Sequence, residues 1–192
     1  MAPVKDRRTR IADAVITVLA ARGSRGLTHR AVDEVAGLPT GSTSYYFRSR
    51  AELLEAAVPR LAELDVMALD RGGDPRQRLV QVLSDSLYGA GRQRTLARYE
   101  LVLEAARRPE IHRALADGTE RLLERLTALF PTSPADEAKI RARDLLAFID
   151  GLLLANVTSP EHHRQSITDL AETVARVLGP WTTVTTGLSQ EL

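Results

Sequence analysis

The chain has 192 residues, 44% of them apolar and only 4% aromatic, with no cysteine and a net charge of +1. That length allows one large domain or a small head on a larger body. The missing cysteines exclude a disulfide framework, a thiolate metal site and a cysteine nucleophile, and they fit a cytoplasmic protein. No window approaches 18 consecutive apolar residues, and no apolar run follows the charged N-terminus. Neither a membrane span nor a signal peptide is therefore expected.

The elements read as helices throughout. Ile11, Ala14, Val15, Val18 and Leu19 recur at i, i+3, i+4, i+7 and i+8, the spacing of a helix with one buried stripe, and Gly23 ends it. Thr28 is placed to cap a second short helix, His29 to Val35, which Gly37 breaks. Pro39 suits the first turn of a third helix reaching about Tyr46. Ser49 with Glu52 forms a capping box for a fourth, which extends to about Leu69. Asp70-Arg71-Gly72-Gly73-Asp74-Pro75 breaks the chain. Helices five (about 76–89), six (about 92–107) and seven (about 109–130) follow, with Gly91 allowing a bend. After Pro131 to Pro134 come helices eight (135–157) and nine (161–178), and the tail from Gly179 carries no helix signal. No segment alternates with period two, so the expected class is all-α. A three-helix helix-turn-helix head (1–48) precedes a larger helical body (49–180) and a tail (181–192).

Residues 27–54 say most about function. A short helix with small hydroxyls and tyrosines fits the major groove of DNA, where Thr40 and Ser42 can donate or accept at base edges and Gly41 permits close backbone approach. Arg48 and Arg50 follow it as phosphate anchors. Phe47 is expected in the core. Charge supports this reading. Residues 1–50 hold nine Lys/Arg against four Asp/Glu, a net of +5, while the remainder carries 17 against 21. A basic head on an acidic body suits a polyanion at the head alone. Arg7, Arg8 and Arg10 are placed either to reach the minor groove as a flexible arm or simply to keep a terminus soluble.

Catalysis has no constellation to support it. The chain lacks a Gly-x-Ser-x-Gly elbow, a phosphate-binding glycine loop and a His-Glu-x-x-His pair, and its only lysines are Lys5 and Lys139. His112, His162 and His163 lack the inward-facing spacing of a metal site. No enzyme activity, cofactor or metal is expected.

Helices eight and nine are apolar over too wide an arc for lone surface helices. Leu145, Leu146, Ile149, Leu152, Leu153, Leu170, Val174 and Val177 are the candidates for a two-fold homodimer joined by a four-helix bundle. The alternative is that both faces pack inside one subunit.

The head resembles the TetR family of bacterial one-component regulators. The resemblance is carried by Arg10-Ile11, Gly23 and Gly26 with Leu27-Thr28, Val35-Ala36-Gly37-Leu38, Gly41-Ser42, Tyr45-Tyr46-Phe47 and Ser49-Arg50-Ala51-Glu52-Leu53-Leu54. Many members carry a hydrophobic residue at the place of Thr43, tyrosine at Ser44 and histidine at Tyr46. The resemblance implies that Thr28 and Tyr46 hold phosphate, that Thr40, Gly41, Ser42 and Tyr45 face bases, and that Arg50 occupies a phosphate-binding position. It also implies a small-molecule pocket within helices five to seven, for which Tyr88, Tyr99, Glu100 and Phe148 are the polar or aromatic candidates. The expected function is a ligand-responsive, homodimeric regulator of a palindromic operator on double-stranded DNA, most simply a repressor released by an unknown effector. The rival is an all-helical protein-interaction module that uses its tyrosines as hot spots.

Overall fold

The apolar stripe of the first helix is buried in full: Ile11, Ala14, Val15, Val18 and Leu19 are each at most 4% exposed. In this computed structural model, which describes residues 4–70, 74–160 and 165–182, the helix is α1 (Val4–Arg22). It starts earlier than the apolar pattern does, because Arg7 to Arg10 propagate a helix without adding a buried side chain. Arg7, Arg8 and Arg10 are therefore held in a helix rather than in a flexible arm. The Arg8 guanidinium lies 4.9 Å from the Phe47 ring centre, and Arg10 Nη2 donates to the Gly37 carbonyl at 3.4 Å.

A 3-10 turn at Ser24–Gly26 leads to α2 (His29–Ala36). The Thr28 hydroxyl accepts the Ala31 N–H at 3.1 Å, giving α2 the expected cap. Gly37 closes α2 at φ 59°, a left-handed conformation that favours glycine. Pro39 lies before α3 (Ser42–Tyr46) rather than within it, so the third helix is shorter than its sequence suggests.

Helix α4 (Arg50–Leu69) begins at the Ser49–Glu52 box: Ser49 Oγ accepts the Glu52 N–H at 3.1 Å, and Glu52 Oε2 accepts the Arg48 N–H at 3.0 Å. It runs through Pro59, which has no N–H to offer the Glu55 carbonyl and so marks a point of flexure. Helices α5 (Pro75–Leu87) and α6 (Gly89–Ala105) meet at Tyr88, not at Gly91. Gly91 is inside α6, and a Cβ there would sit 1.5 Å from the Asp85 carbonyl oxygen. Its bareness lets the end of α5 press onto α6. Helices α7 (Pro109–Thr127), α8 (Ala135–Thr158) and α9 (Ile167–Thr182) complete the body. α9 continues past Gly179, so the sequence signal ended it too early. His162, His163 and residues 183–192 lie outside the described residues.

The described residues form nine α-helices and no strand, as an all-α chain should. They enclose two apolar cores. One joins α1, α2 and α4 to α6 and α7 through Ala97, Leu101, Ala105 and Ile111. The other gathers Leu79, Leu83 and Leu87 of α5 with Leu126, Phe130, Leu145, Leu170 and Val174. The head is thus packed onto the body through a shared core, and α4 belongs to both.

Candidate functional site

The helix-turn-helix is held by a carboxylate that the sequence reading overlooked. Asp33 on α2 is 3% exposed. Its two oxygens accept the Gly41 N–H at 2.7 Å, the Thr43 N–H at 2.8 Å and the Thr43 hydroxyl at 2.5 Å. Burial alone would raise the Asp33 carboxyl, but the bonds from Thr43 and Gly41 outweigh it and hold its pKa below the ordinary value. Thr43 is fully buried, with its hydroxyl satisfied by Asp33. The only sequence signal was an acid eight residues before Gly41 in a head whose net charge is positive. At the other end of α3, His29 Nε2 donates to the Phe47 carbonyl at 2.8 Å, and Phe47 is buried.

This frame decides which side chains face outward. Thr40 and Gly41 are exposed, Ser42 is partly exposed, and Tyr45 is 82% exposed. Tyr46 is half-buried against the head core and meets Tyr45 edge to face at 5.2 Å. Arg48 is exposed, as are Thr28 and Arg30. Thr28, Thr40, Gly41, Ser42, Tyr45 and Arg48 therefore lie on exposed parts of the head.

Arg50 is turned differently. Its Nη2 donates to the Ser24 carbonyl at 2.6 Å and to the Ser24 hydroxyl, and lies 3.4 Å from Glu104 Oε1 on α6. The Ser24 hydroxyl donates in turn to Glu104, which also pairs with Arg108 at 2.8 Å. The Ser24 bond, with help from Arg108 and Arg50, holds the Glu104 carboxyl below its ordinary pKa against the opposing effect of burial. Glu100 joins the same knot, accepting the Ser24 N–H at 2.7 Å.

The body holds a cavity of about 60 Å³ where α4, α5, α6, α7 and α8 converge. Apolar walls from Leu79, Leu122, Leu126, Leu146, Ile149 and Leu153 surround three charged groups, Asp65, Arg98 and Asp150. Arg98 and Asp65 pair at 2.6 Å. None of the four pocket candidates from the sequence lines this cavity. Glu100 points to the head, Tyr88 is exposed with its hydroxyl on the Gln165 carbonyl at 3.2 Å, and Phe148 packs against the second core. Tyr99 comes nearest, its hydroxyl donating to the Asp150 carbonyl at 2.9 Å. A larger groove, about 520 Å³, runs along α4 and α7 and opens to solvent, lined by Glu55, Glu110, Arg113 and Asp117 beside the small apolar Pro59, Ala62 and Ala114. No helix among the described residues is long and apolar enough to cross a membrane, and no group of three metal-ligating side chains occurs among them.

A family model described as "Tetracyclin repressor-like, C-terminal domain" matches residues 74–180, more than half of the chain. The chain belongs to the TetR family of transcriptional regulators. As a TetR-family protein it is a DNA-binding regulator rather than an enzyme. It is 29% identical over 163 residues to the HTH-type transcriptional regulator BetI of Paraburkholderia xenovorans, a match covering 81% of this chain and 84% of that one. Against BetI of Stenotrophomonas maltophilia it is 30% identical over 156 residues, covering 77% and 80%. Among solved structures it is similar to a transcriptional regulator from Rhodococcus sp. Rha1 (TM-score 0.74, 26% identity, 90% of this chain and 96% of that one). It is also similar to the multidrug binding protein EbrR complexed with proflavin (TM-score 0.61, 32% identity, 89% and 99%). TetR regulators bind DNA, act as dimers and take small-molecule effectors.

The apolar excess on α8 and α9 is taken up largely within the TetR subunit. Leu145, Leu153, Leu170 and Val174 are buried in the second core, and Leu146 and Ile149 face the cavity. Leu152 is half-buried and packs against the second core, and Val177 is half-buried. Ile140 and Leu154 of α8 and Ile167 of α9 are instead each about half exposed (56%, 47% and 58%), and Ala147, Gly151 and Ala155 of α8 are exposed.

Proposed function

We propose that this chain is a homodimeric repressor that reads a palindromic operator with α3 and releases it when a small molecule enters the body cavity. The observation that carries the reading is the division on α3: Thr43 is locked inward by Asp33 while Tyr45 stands 82% exposed. A helix fixed on one side presents the other as a rigid reading face. Thr40, Gly41, Ser42 and Tyr45 meet base edges, while Thr28, Tyr46 and Arg48 meet phosphates. Arg50 acts through the knot with Ser24 and Glu104 rather than on phosphate. Two heads meet successive major grooves about 34–36 Å apart, paired through the outward faces of α8 and α9. Such a protein works where the chromosome lies, in the cytoplasm.

The cavity supplies the release. At about 60 Å³ it is far smaller than the roughly 300–1,000 Å³ that drug-sized ligands need. An effector of that size must spread the walls, so it binds an expanded conformation better than this one. That differential affinity is what a ligand requires to shift an equilibrium. Asp65 and Leu69 of α4 line the cavity, and Arg50 at the start of the same helix holds the head, about 22 Å away along the axis. Each 1.4 kcal/mol of effector preference for the expanded form lowers operator affinity about tenfold. Mobility-shift titration on the DNA flanking the chain's own gene tests the reading. Expected is salt-sensitive binding to a palindrome, lost when the two half-sites are moved apart by half a turn; binding indifferent to salt and spacing overturns it.

A further inference from the structure

Two carboxylates and one guanidinium line the effector cavity, an excess of one negative charge. Asp65 and Arg98 pair at 2.6 Å, and Arg98 also attracts the Asp150 carboxylate on the same wall, so one guanidinium serves two carboxylates. The residue as a whole is exposed, while its carboxyl gives up part of its hydration at the cavity wall.

The hydroxyl protons around it are already committed. Thr95 donates to the Ser86 carbonyl at 2.7 Å, Ser86 donates to the Val82 carbonyl at 2.7 Å, and the Tyr99 hydroxyl donates to the Asp150 carbonyl. The Arg98 guanidinium is held by Asp65. The excess negative charge of the lining therefore favours a donor or a positive charge, and an anion would meet two carboxylates with the one cation already engaged. Loss of hydration pushes the Asp150 carboxyl above its ordinary pKa; Arg98 lowers it and Asp65 raises it further. Tyr99 is pushed up to about 12, chiefly by burial, so it stays a neutral donor.

We propose that the effector is an organic cation with an apolar body, its positive centre seated on the Asp150 carboxylate and its hydrocarbon spread against Leu122, Leu126 and Leu153. This rests on the reading of the cavity as the effector site. The carboxylate sets the sign of the ligand's charge, and the leucines require a hydrocarbon portion that a bare metal ion or a polyol lacks.

Titration calorimetry on the full chain, without DNA, tests it with benzyltrimethylammonium and with neopentylbenzene, the same shape with carbon in place of the charged nitrogen. Expected is at least tenfold tighter binding of the cation, a preference that Asp150→Asn removes while binding of the hydrocarbon is unchanged. Equal affinity for the two compounds overturns the proposal, as does binding of neither. An Asp150→Asn protein that keeps the preference also overturns it. Should that variant not fold, as judged by its circular-dichroism melt, the wild-type comparison of the two compounds decides alone. Operator binding by the unliganded wild-type protein is measured separately. A chain that binds its operator but not the cation loses this inference and keeps the regulator reading.

Discussion

Arg50 opens α4 and Glu104 lies in the last turn of α6, and the two meet over Ser24, with Arg50 Nη2 3.4 Å from the Glu104 carboxylate and 2.6 Å from the Ser24 carbonyl. The loop that follows α1, the start of α4 and the end of α6 thus share one polar knot, and Glu100 adds its own bond to the Ser24 N–H. Arg48, two residues earlier, is exposed. The two arginines are therefore expected to behave differently. Arg48→Ala lowers the slope of log affinity against log salt by about 1 through loss of one phosphate contact. Arg50→Ala leaves that slope unchanged and lowers the melting temperature. Fluorescence anisotropy on operator DNA across a salt series reads both, and a flattened slope in Arg50→Ala would return that residue to the phosphate backbone.

The same knot makes stability depend on acid. The Glu104 carboxyl is depressed when folded, so its ionised form stabilises the native state fully above the ordinary carboxyl pKa, about 4.3, and the contribution is lost as pH falls through the lower folded value. The wild-type melting temperature is expected to drop as pH falls below about 4. Glu104→Gln is expected to melt lower at neutral pH and to lose less on acidification. Parallel slopes for the two proteins between pH 5 and 3 would show that Glu104 carries no such linkage.

Asp33 is the corresponding test of the reading helix. Asp33→Asn replaces one acceptor oxygen by a donor, facing either the Gly41 N–H or the Thr43 groups. A buried donor left without a partner costs about 1–3 kcal/mol. Denaturant melts should register that loss, and operator affinity should fall with it because Tyr45 is no longer held in one orientation. Tyr45→Ala, by contrast, is expected to weaken operator binding at least tenfold with an unchanged melt, since its ring is 82% exposed. A Tyr45→Ala protein that binds normally would remove that residue from the interface.

The head was legible because its signals are local. Caps at Thr28 and Ser49, the break at Gly37 and the periodic stripe of α1 each act within a few residues, and each appears where the pattern placed it. Side-chain roles set by distant partners were not legible. Arg50 follows the recognition helix in sequence, yet Ser24, 26 residues earlier, and Glu104, 54 residues later, decide where its guanidinium lies. Glu100 in an apolar stretch suggested a pocket, but helical periodicity alone does not say which neighbour its face meets. That neighbour is the head. Asp65, Arg98 and Asp150 lie on three helices and are brought together only by packing.

Gly91 tests the packing of the body. Gly91→Ala places a methyl group 1.5 Å from the Asp85 carbonyl and 2.4 Å from its carbon, both backbone atoms that cannot rotate away. The α5–α6 crossing must open, at a cost of about 1–3 kcal/mol or more. A lower melting temperature is expected. Effector affinity should change too, because Thr95 and Arg98 lie one and two turns further along α6 on the cavity wall. An unaltered melt would mean the contact is relieved without cost.

The dimer is tested on the face the structure leaves open. Leu145, Leu153, Leu170 and Val174 are at most 6% exposed within one subunit, so replacing them damages the fold and says little about assembly. Leu154 is 47% exposed and lies beside Ala147, Gly151 and Ala155, small residues that let a second helix approach closely. Leu154→Glu places a charge there, one from each subunit across a two-fold axis, where repulsion adds to the cost of desolvation. Sedimentation equilibrium at micromolar concentration is expected to show wild-type dimer and variant monomer. Operator affinity should then collapse towards that of a single head, while the variant's melt remains cooperative. A variant that sediments as a dimer would move the interface off this side of α8.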